Sequence, residues 1–300
     1  MEKQRVTFVS ECLKLVGDLY LPRESSNQPA PAIVFTGPFT GVKEQVTGNY
    51  ARRLAQAGFV TLAFDHRNFG ESEGAPRQHE DAQGKLADLR DALSFLASRP
   101  EVDANRIGAC GVCLGGVYAL PLAAFDPRVK ALSLVTCAYN EPSRLLKLIG
   151  TDGYRQQMEN AAAVAGRQYQ TGEVEYLPAV APNNGMAAMW GPEPYDYYGT
   201  ARSASPGWVN QVSVLSIKTL LTLTVAYTLP PVISTPTLIV HGKTDGFCPP
   251  EDAAWVYEQL AEPKDILWLP TSNHIDLYDN DEFVIPAVTA TAAWFKKYLS

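Results

Sequence analysis

Short apolar runs alternate along this chain with longer stretches whose apolar positions recur at helical spacing. "VTFVS" (6–10) and "LKLVGDLYLP" (13–22) predict an opening antiparallel hairpin. "APAIVFTG" (30–37) predicts a buried strand stopping at Gly37. "NYARRLAQAG" (49–58) predicts a helix closed by Gly58, and "FVTLAFDHR" (59–67) the next strand. Leu86, Leu89, Leu93 and Leu96 place a helix within 80–98. "RIGACGV" (106–112) predicts a strand ending in a turn at Cys113, and "VKALSLVTCA" (129–138) another strand. Pro121 should kink the helix between them. From Tyr139 to Pro231 the strand signals fade and Tyr, Trp, Met, Asn and Pro accumulate. The rhythm then returns with "TPTLIVHG", "EDAAWVYEQLA", "KDILWLP" and "IPAVTATAAWFKKYL". Strands alternating with helices predict an α/β fold, a mostly parallel central sheet with helices on both faces. Residues 1–138 and 232–300 would form this core, and residues 139–231 a helical insertion.

The 300 residues suffice for one such domain with an insertion. Lys and Arg number 25 against 32 Asp and Glu, a net charge of −7 without long runs. That balance argues against nucleic acid or an anionic membrane as partner. The N-terminus lacks the apolar run of a secretory signal. "VSVLSIKTLLTLTVAYTLPP" (212–231) is too polar for a membrane span and predicts a buried or interface helix. The apolar face of 212–229 could dock on a second subunit, giving a homodimer. The five cysteines (12, 110, 113, 137, 248) are odd in number and lack zinc-type pairing, so neither a metal nor another cofactor is expected. Reduced thiols fit a cytoplasmic protein.

Gly111-Val112-Cys113-Leu114-Gly115 carries the chemistry. A nucleophile on a tight strand-to-helix turn needs small neighbours two residues before and after, which Gly111 and Gly115 supply. The following helix N-terminus lowers a thiol pKa and favours an oxyanion. Free cysteines commonly just pack, and the other four are read that way. Of four histidines, His274 in "LPTSNHIDLYD" follows the last strand and keeps the chain order nucleophile–acid–base. His241, ending a strand, reads as structural. Asp245 in "HGKTDGFCPP" is the candidate acid and Glu141 the alternative, while Asp276 is too close in sequence to orient His274 easily. An oxyanion hole would combine the backbone N–H groups of Leu114 and Phe39, since Pro38 has none to donate.

"GVCLGG", "FDHRNFGESEG", "HGKTD" and "SNH", in this order, resemble the α/β-hydrolase superfamily over nearly the whole chain. The elbow is similar to that of dienelactone hydrolases, which use a Cys-His-Asp triad but are shorter and lack so large an insertion. "GPFTGVKEQ" with "WVN" (208–210) is more similar to the fungal polyketide transferase and thiohydrolase branch. The resemblance implies Cys113 as nucleophile, Asp245 as acid, His274 as base, and 139–231 as a helical lid lining an acyl pocket. Tyr154, Trp190, Tyr195, Tyr198 and Trp208 could then bind an acyl chain, or simply make the lid's own core.

The expected chemistry is two-step acyl transfer, in which His274 takes the Cys113 proton and the thiolate attacks an acyl carbonyl. An S-acyl enzyme keeps a thioester's transfer potential, so it forms readily from thioesters or activated esters and poorly from amides. Three functions follow. The first is hydrolysis or transfer of a polyketide-type acyl chain, free or presented on an acyl carrier protein, in secondary-metabolite biosynthesis. The second is hydrolysis of a lactone, an activated ester or a carbon–carbon bond. The third is non-catalytic binding of a small molecule, which an aligned base and acid argue against.

Overall fold

The structure, a computed structural model, describes residues 1–23, 28–139, 142–183, 186–223 and 230–300, excluding the side chains of 142–145, 148 and 190. Strands β1 (Glu2–Ser10) and β2 (Leu13–Leu21) form the expected hairpin, pairing Glu2 with Leu21 through to Ser10 with Leu13. There follow β3 (Ala30–Thr36), α1 (Val46–Gln56), β4 (Val60–Phe64), α2 (Ala82–Ala97), β5 (Val102–Val112), α3 (Gly116–Phe125) and β6 (Val129–Val135). The next stretch holds α4 (Pro142–Thr171), broken at Gly150, and four two-residue strands. These are β7 (Tyr176–Leu177), β8 (Val180–Ala181), β9 (Met189–Trp190) and β10 (Val212–Ser213), with α5 (Pro192–Tyr198) before β10 and α6 (Leu215–Thr222) after it. The chain closes with β11 (Thr237–Gly242), α7 (Pro250–Gln259), β12 (Lys264–Leu269), α8 (Asp276–Asp279) and α9 (Asp281–Tyr298).

Eight strands make one sheet in the order β1-β2-β4-β3-β5-β6-β11-β12. The β1–β2 and β2–β4 pairs are antiparallel, and the remaining pairs are parallel. Period-two geometry sends successive side chains of β3 to opposite faces. Ala32 and Val34 join Leu89, Leu93 and Leu96 of α2 and Val117 of α3 on one face. Ile33 and Phe35 join Tyr50 and Leu54 of α1 and Phe295 of α9 on the other. Each fully buried Leu or Phe contributes about 1.5–3 kcal/mol relative to exposure, which is why the leucine spacing of α2 settles its orientation.

Two local expectations change. The stretch between β6 and β11 is not purely helical: β7 pairs with β10 and β8 with β9. Two-residue strands carry no periodicity for a sequence to display. The helix expected across 212–231 is only α6, and residues 224–229 of its apolar face lie outside the described residues. Helix α3 continues through Pro121 to Phe125.

Candidate active site

Four neighbouring strands, β5, β6, β11 and β12, deliver their C-terminal ends to one place, as crevices at the carboxyl edge of parallel sheets do. Cys113 stands immediately after β5 with φ +54, the strained left-handed conformation of an elbow. Glycine is required around it. A Cβ on Gly111 would lie 2.8 Å from the Gly115 carbonyl oxygen, and one on Gly115 would lie 2.3 Å from the Thr36 carbonyl oxygen. Ala138 N–H donates to the Cys113 carbonyl at 2.9 Å, tying the elbow to the end of β6.

Asp245 follows β11 and is saturated with donors. Its Oδ1 accepts from the amides of Phe247 and Cys248, both at 2.8 Å. Its Oδ2 accepts from Thr136 Oγ1 at 2.8 Å and from His274 Nδ1 at 2.6 Å. With Nδ1–H committed to the carboxylate, Nε2 is the ring atom left to face Cys113. The Cys113 Sγ, a His274 ring nitrogen and Cys248 Sγ all lie within 4.8 Å of one another. Tyr278 OH is 3.1 Å from His274 Nε2. Asp276 is not the orienting acid, because its Oδ2 accepts from Thr271 Oγ1 at 2.7 Å. Glu141, the alternative acid, lies outside the described residues.

Electrostatics in this cluster favour a charge-separated pair. Hydrogen bonding from Cys248, then the His274 charge, holds the Cys113 thiol well below its usual value despite burial. Burial opposes a charge on His274, yet the Cys113 thiolate and the Asp245 carboxylate push it up to about 10. Burial would raise Asp245, but His274 and the two loop amides hold it below the ordinary carboxylate value. Both shifts point the same way, favouring the proton on His274 over Cys113. The remaining thiols differ sharply, since burial pushes Cys110 up to about 12 and Cys137 well above its usual value.

For the two expected oxyanion donors, Leu114 follows the nucleophile and Phe39 sits in the loop after β3, the neighbour of β5. Of the five aromatic residues considered for the acyl chain, two reach the site. Tyr198 at the end of α5 stacks on Trp208 at 5.5 Å and meets Tyr278 edge-on at 6.5 Å. Its buried hydroxyl has no hydrogen-bond partner among the described residues. Trp208 Nε1 donates to Thr40 Oγ1 at 3.4 Å, beside Phe39. Tyr195 packs partly buried against the same apolar cluster. Tyr154 is used elsewhere, its hydroxyl donating to the Leu221 carbonyl at 2.8 Å and tying α4 to α6. Trp190 lies on β9, with its side chain outside the described residues.

Sequence reasoning missed three members of the site. Thr136 reads as an ordinary strand-end threonine, and Tyr278 shows only as four residues beyond His274. Cys248 reads as a packing thiol, although its place three residues after Asp245 is a usable signal. His241 does read as structural: it is buried, with Nδ1 3.0 Å from the Gly242 carbonyl. A cavity of about 660 Å³ opens between the Gly70–Gln78 loop and Pro206–Gln211, lined by Glu44, Glu71 and Arg77, and no triad residue lines it.

A family model, Hydrolase_4, described as serine aminopeptidase, S33, matches residues 28–281. The chain belongs to this family. The chain is similar to the uncharacterized protein PA2218 of Pseudomonas aeruginosa, 33% identical over 93% of this chain and 76% of that protein. The crystal structure of PA2218 superposes with a TM-score of 0.87, covering 99% of this chain and 94% of the other at 30% identity. The thiohydrolase aneE of Aspergillus aculeatus is 30% identical over 87% of this chain and 83% of its own. The polyketide transferase grgF of a Penicillium species is 27% identical over 84% and 83%, and the GrgF structure shares the fold with a TM-score of 0.83. Membership makes this chain an α/β-hydrolase and supports a hydrolase or acyltransferase role. The family description names a serine enzyme, whereas the elbow here carries sulfur at Cys113. No helix among the described residues is long and apolar enough to cross a membrane.

Proposed function

We propose that this protein is an acyl-thioester hydrolase or acyltransferase working through Cys113, His274 and Asp245, on a polyketide-type acyl chain. The observation that carries the reading is the alignment of three side chains, with Cys113 Sγ within 4.8 Å of a His274 ring nitrogen and Asp245 2.6 Å from Nδ1. A thiolate attacks the thioester carbonyl directly, and the oxyanion rests on the amides of Leu114 and Phe39. Imidazolium Nε2–H then protonates the departing thiolate. Acylation removes the negative charge from Cys113, the largest influence holding His274 up to about 10. His274 thereby regains a base near neutrality when a base is needed, to activate water or an acceptor hydroxyl or amine.

Residues 139–231 serve, in this reading, as a lid whose Tyr198 and Trp208 wall the acyl side of the site. Support comes from the ties of this segment to the His274 loop. Glu193 Oε1 accepts from the Ile275 amide at 2.9 Å, and Arg202 pairs with Asp279 at 2.6 Å. The names of the fungal relatives favour a polyketide-type donor. The test is intact mass spectrometry after incubation with acyl thioesters of graded length. An adduct of the acyl mass that disappears in Cys113→Ala is expected. Turnover of enol lactones without any thioester-derived adduct would replace this reading by lactone hydrolysis. Neither adduct nor turnover would leave a binding protein.

A further inference from the structure

We propose that Cys113, Cys248 and His274 form a binding site for a thiophilic divalent cation, zinc above all, whose occupation switches the acyl chemistry off. The sequence lacks zinc-type spacing because the three donors come from the loops after β5, β11 and β12. Only the tertiary fold brings two sulfur atoms and one imidazole nitrogen within 4.8 Å of one another. Tetrahedral zinc, with Zn–S near ~2.3 Å and Zn–N near ~2.0 Å, spaces such donors by about 3.5–3.8 Å. Closing around the ion therefore takes roughly 1 Å of side-chain rotation or less.

The outer shell is already that of a metal site. His274 Nδ1 is held by Asp245 at 2.6 Å, the carboxylate–histidine arrangement that fixes the ring and strengthens Nε2 as a ligand. Thr136 in turn donates to the same carboxylate oxygen at 2.8 Å. The Cys248 amide donates to Asp245 Oδ1, so one carboxylate orders two of the three ligand-bearing loops. Two sulfurs and one imidazole leave a fourth position for water, on the side where Cys113 is partly exposed. Soft thiolates select zinc over magnesium or calcium.

Binding forms two Zn–S bonds and one Zn–N bond. The protons carried by the Cys248 thiol and the His274 Nε2 pass to solvent, and nothing is oxidised or reduced. The metal-bound state occupies the sulfur lone pair and the ring nitrogen that acyl transfer uses. The loss of acylation rests on the reading of Cys113 as nucleophile; the metal site itself does not.

The test uses the full reduced chain, freed of metal and kept anaerobic, titrated with Co2+ and then Zn2+. One equivalent of Co2+ should give thiolate-to-cobalt charge transfer in the near ultraviolet and the intense visible bands of a tetrahedral ion, with Zn2+ displacing both. Cys248→Ala and the near-isosteric Cys248→Ser should weaken zinc by about 100-fold or more, judged by competition with a chromophoric chelator. Replacing the exposed Cys12 should leave the affinity unchanged. Zinc should also abolish the Cys113 acyl adduct in the wild type, and chelator should restore it. Weak octahedral cobalt spectra without charge transfer, or unchanged zinc affinity in both Cys248 variants, would overturn the proposal. Cobalt bands without any acyl adduct would sink the proposed function and leave the metal site standing.

Discussion

Removing the Cys113 sulfur should collapse the pKa of His274, and the size of that fall can be worked from the geometry. A unit negative charge at most 4.8 Å from the imidazolium, at an effective dielectric constant near ~20, contributes about 3.5 kcal/mol. That is roughly 2.5 pKa units, so His274 should drop from about 10 to near ~7.5 in Cys113→Ala. The carboxylate of Asp245, still 2.6 Å away, prevents a complete return to an unpartnered value. The assay is proton NMR of the imidazole C–H resonances across pH 5–11. Only four histidines are present, and burial lowers the other three: His66, His79 and His241. A single resonance titrating near 10, absent in His274→Gln and displaced downward in Cys113→Ala, is the expected result. The same displacement should appear in a trapped S-acyl enzyme. If His274 titrates at one pH in wild type and Cys113→Ala alike, the thiolate–imidazolium pair does not exist and the proposed order of proton transfers fails.

Alkylation of Cys113 by iodoacetamide should stay nearly independent of pH well below the usual thiol value, because a depressed pKa keeps the thiolate present above it; a rate rising tenfold per pH unit through neutrality contradicts this. Acylation should fall as pH climbs through about 10, where His274 loses the proton that the leaving group requires. Thr136→Val removes a donor to a buried carboxylate and should cost about 1.5–3 kcal/mol, read as an about 10- to 160-fold slower single-turnover acylation with the fold intact by circular dichroism. Gly115→Ala forces a Cβ to within 2.3 Å of the Thr36 carbonyl and should destabilise the chain by at least about 1–3 kcal/mol in urea unfolding. An unchanged midpoint would show that the elbow is not as tight as described.

Much of this site could be read in advance, for a reason visible in particular residues. Gly111 and Gly115 announce the elbow because no side chain fits there, and a Cβ clash is a local property of a turn. His274 and Asp245 follow short, strongly apolar strands, so placing the strands places the loops. Thr136 and Cys248 carried no such mark. Their roles depend on β6 lying beside β11, a pairing between segments that residues 136–236 separate in the chain. The short strands β7 to β10 escaped for a related reason, since two residues hold no period and only their partners make them strands.

Residue type and spacing alone determined the alternating strands and helices, the strained turn at Cys113, and the chain order of Cys113, Asp245 and His274. These are consequences of backbone sterics and of apolar periodicity, which act over a few residues at a time. Tertiary structure alone decided which charges surround His274, which hydroxyl supports Asp245, and that a second sulfur stands beside the first. Those depend on charges and donors meeting across strand ends far apart in the chain, and electrostatic interaction falls with distance in space rather than in sequence.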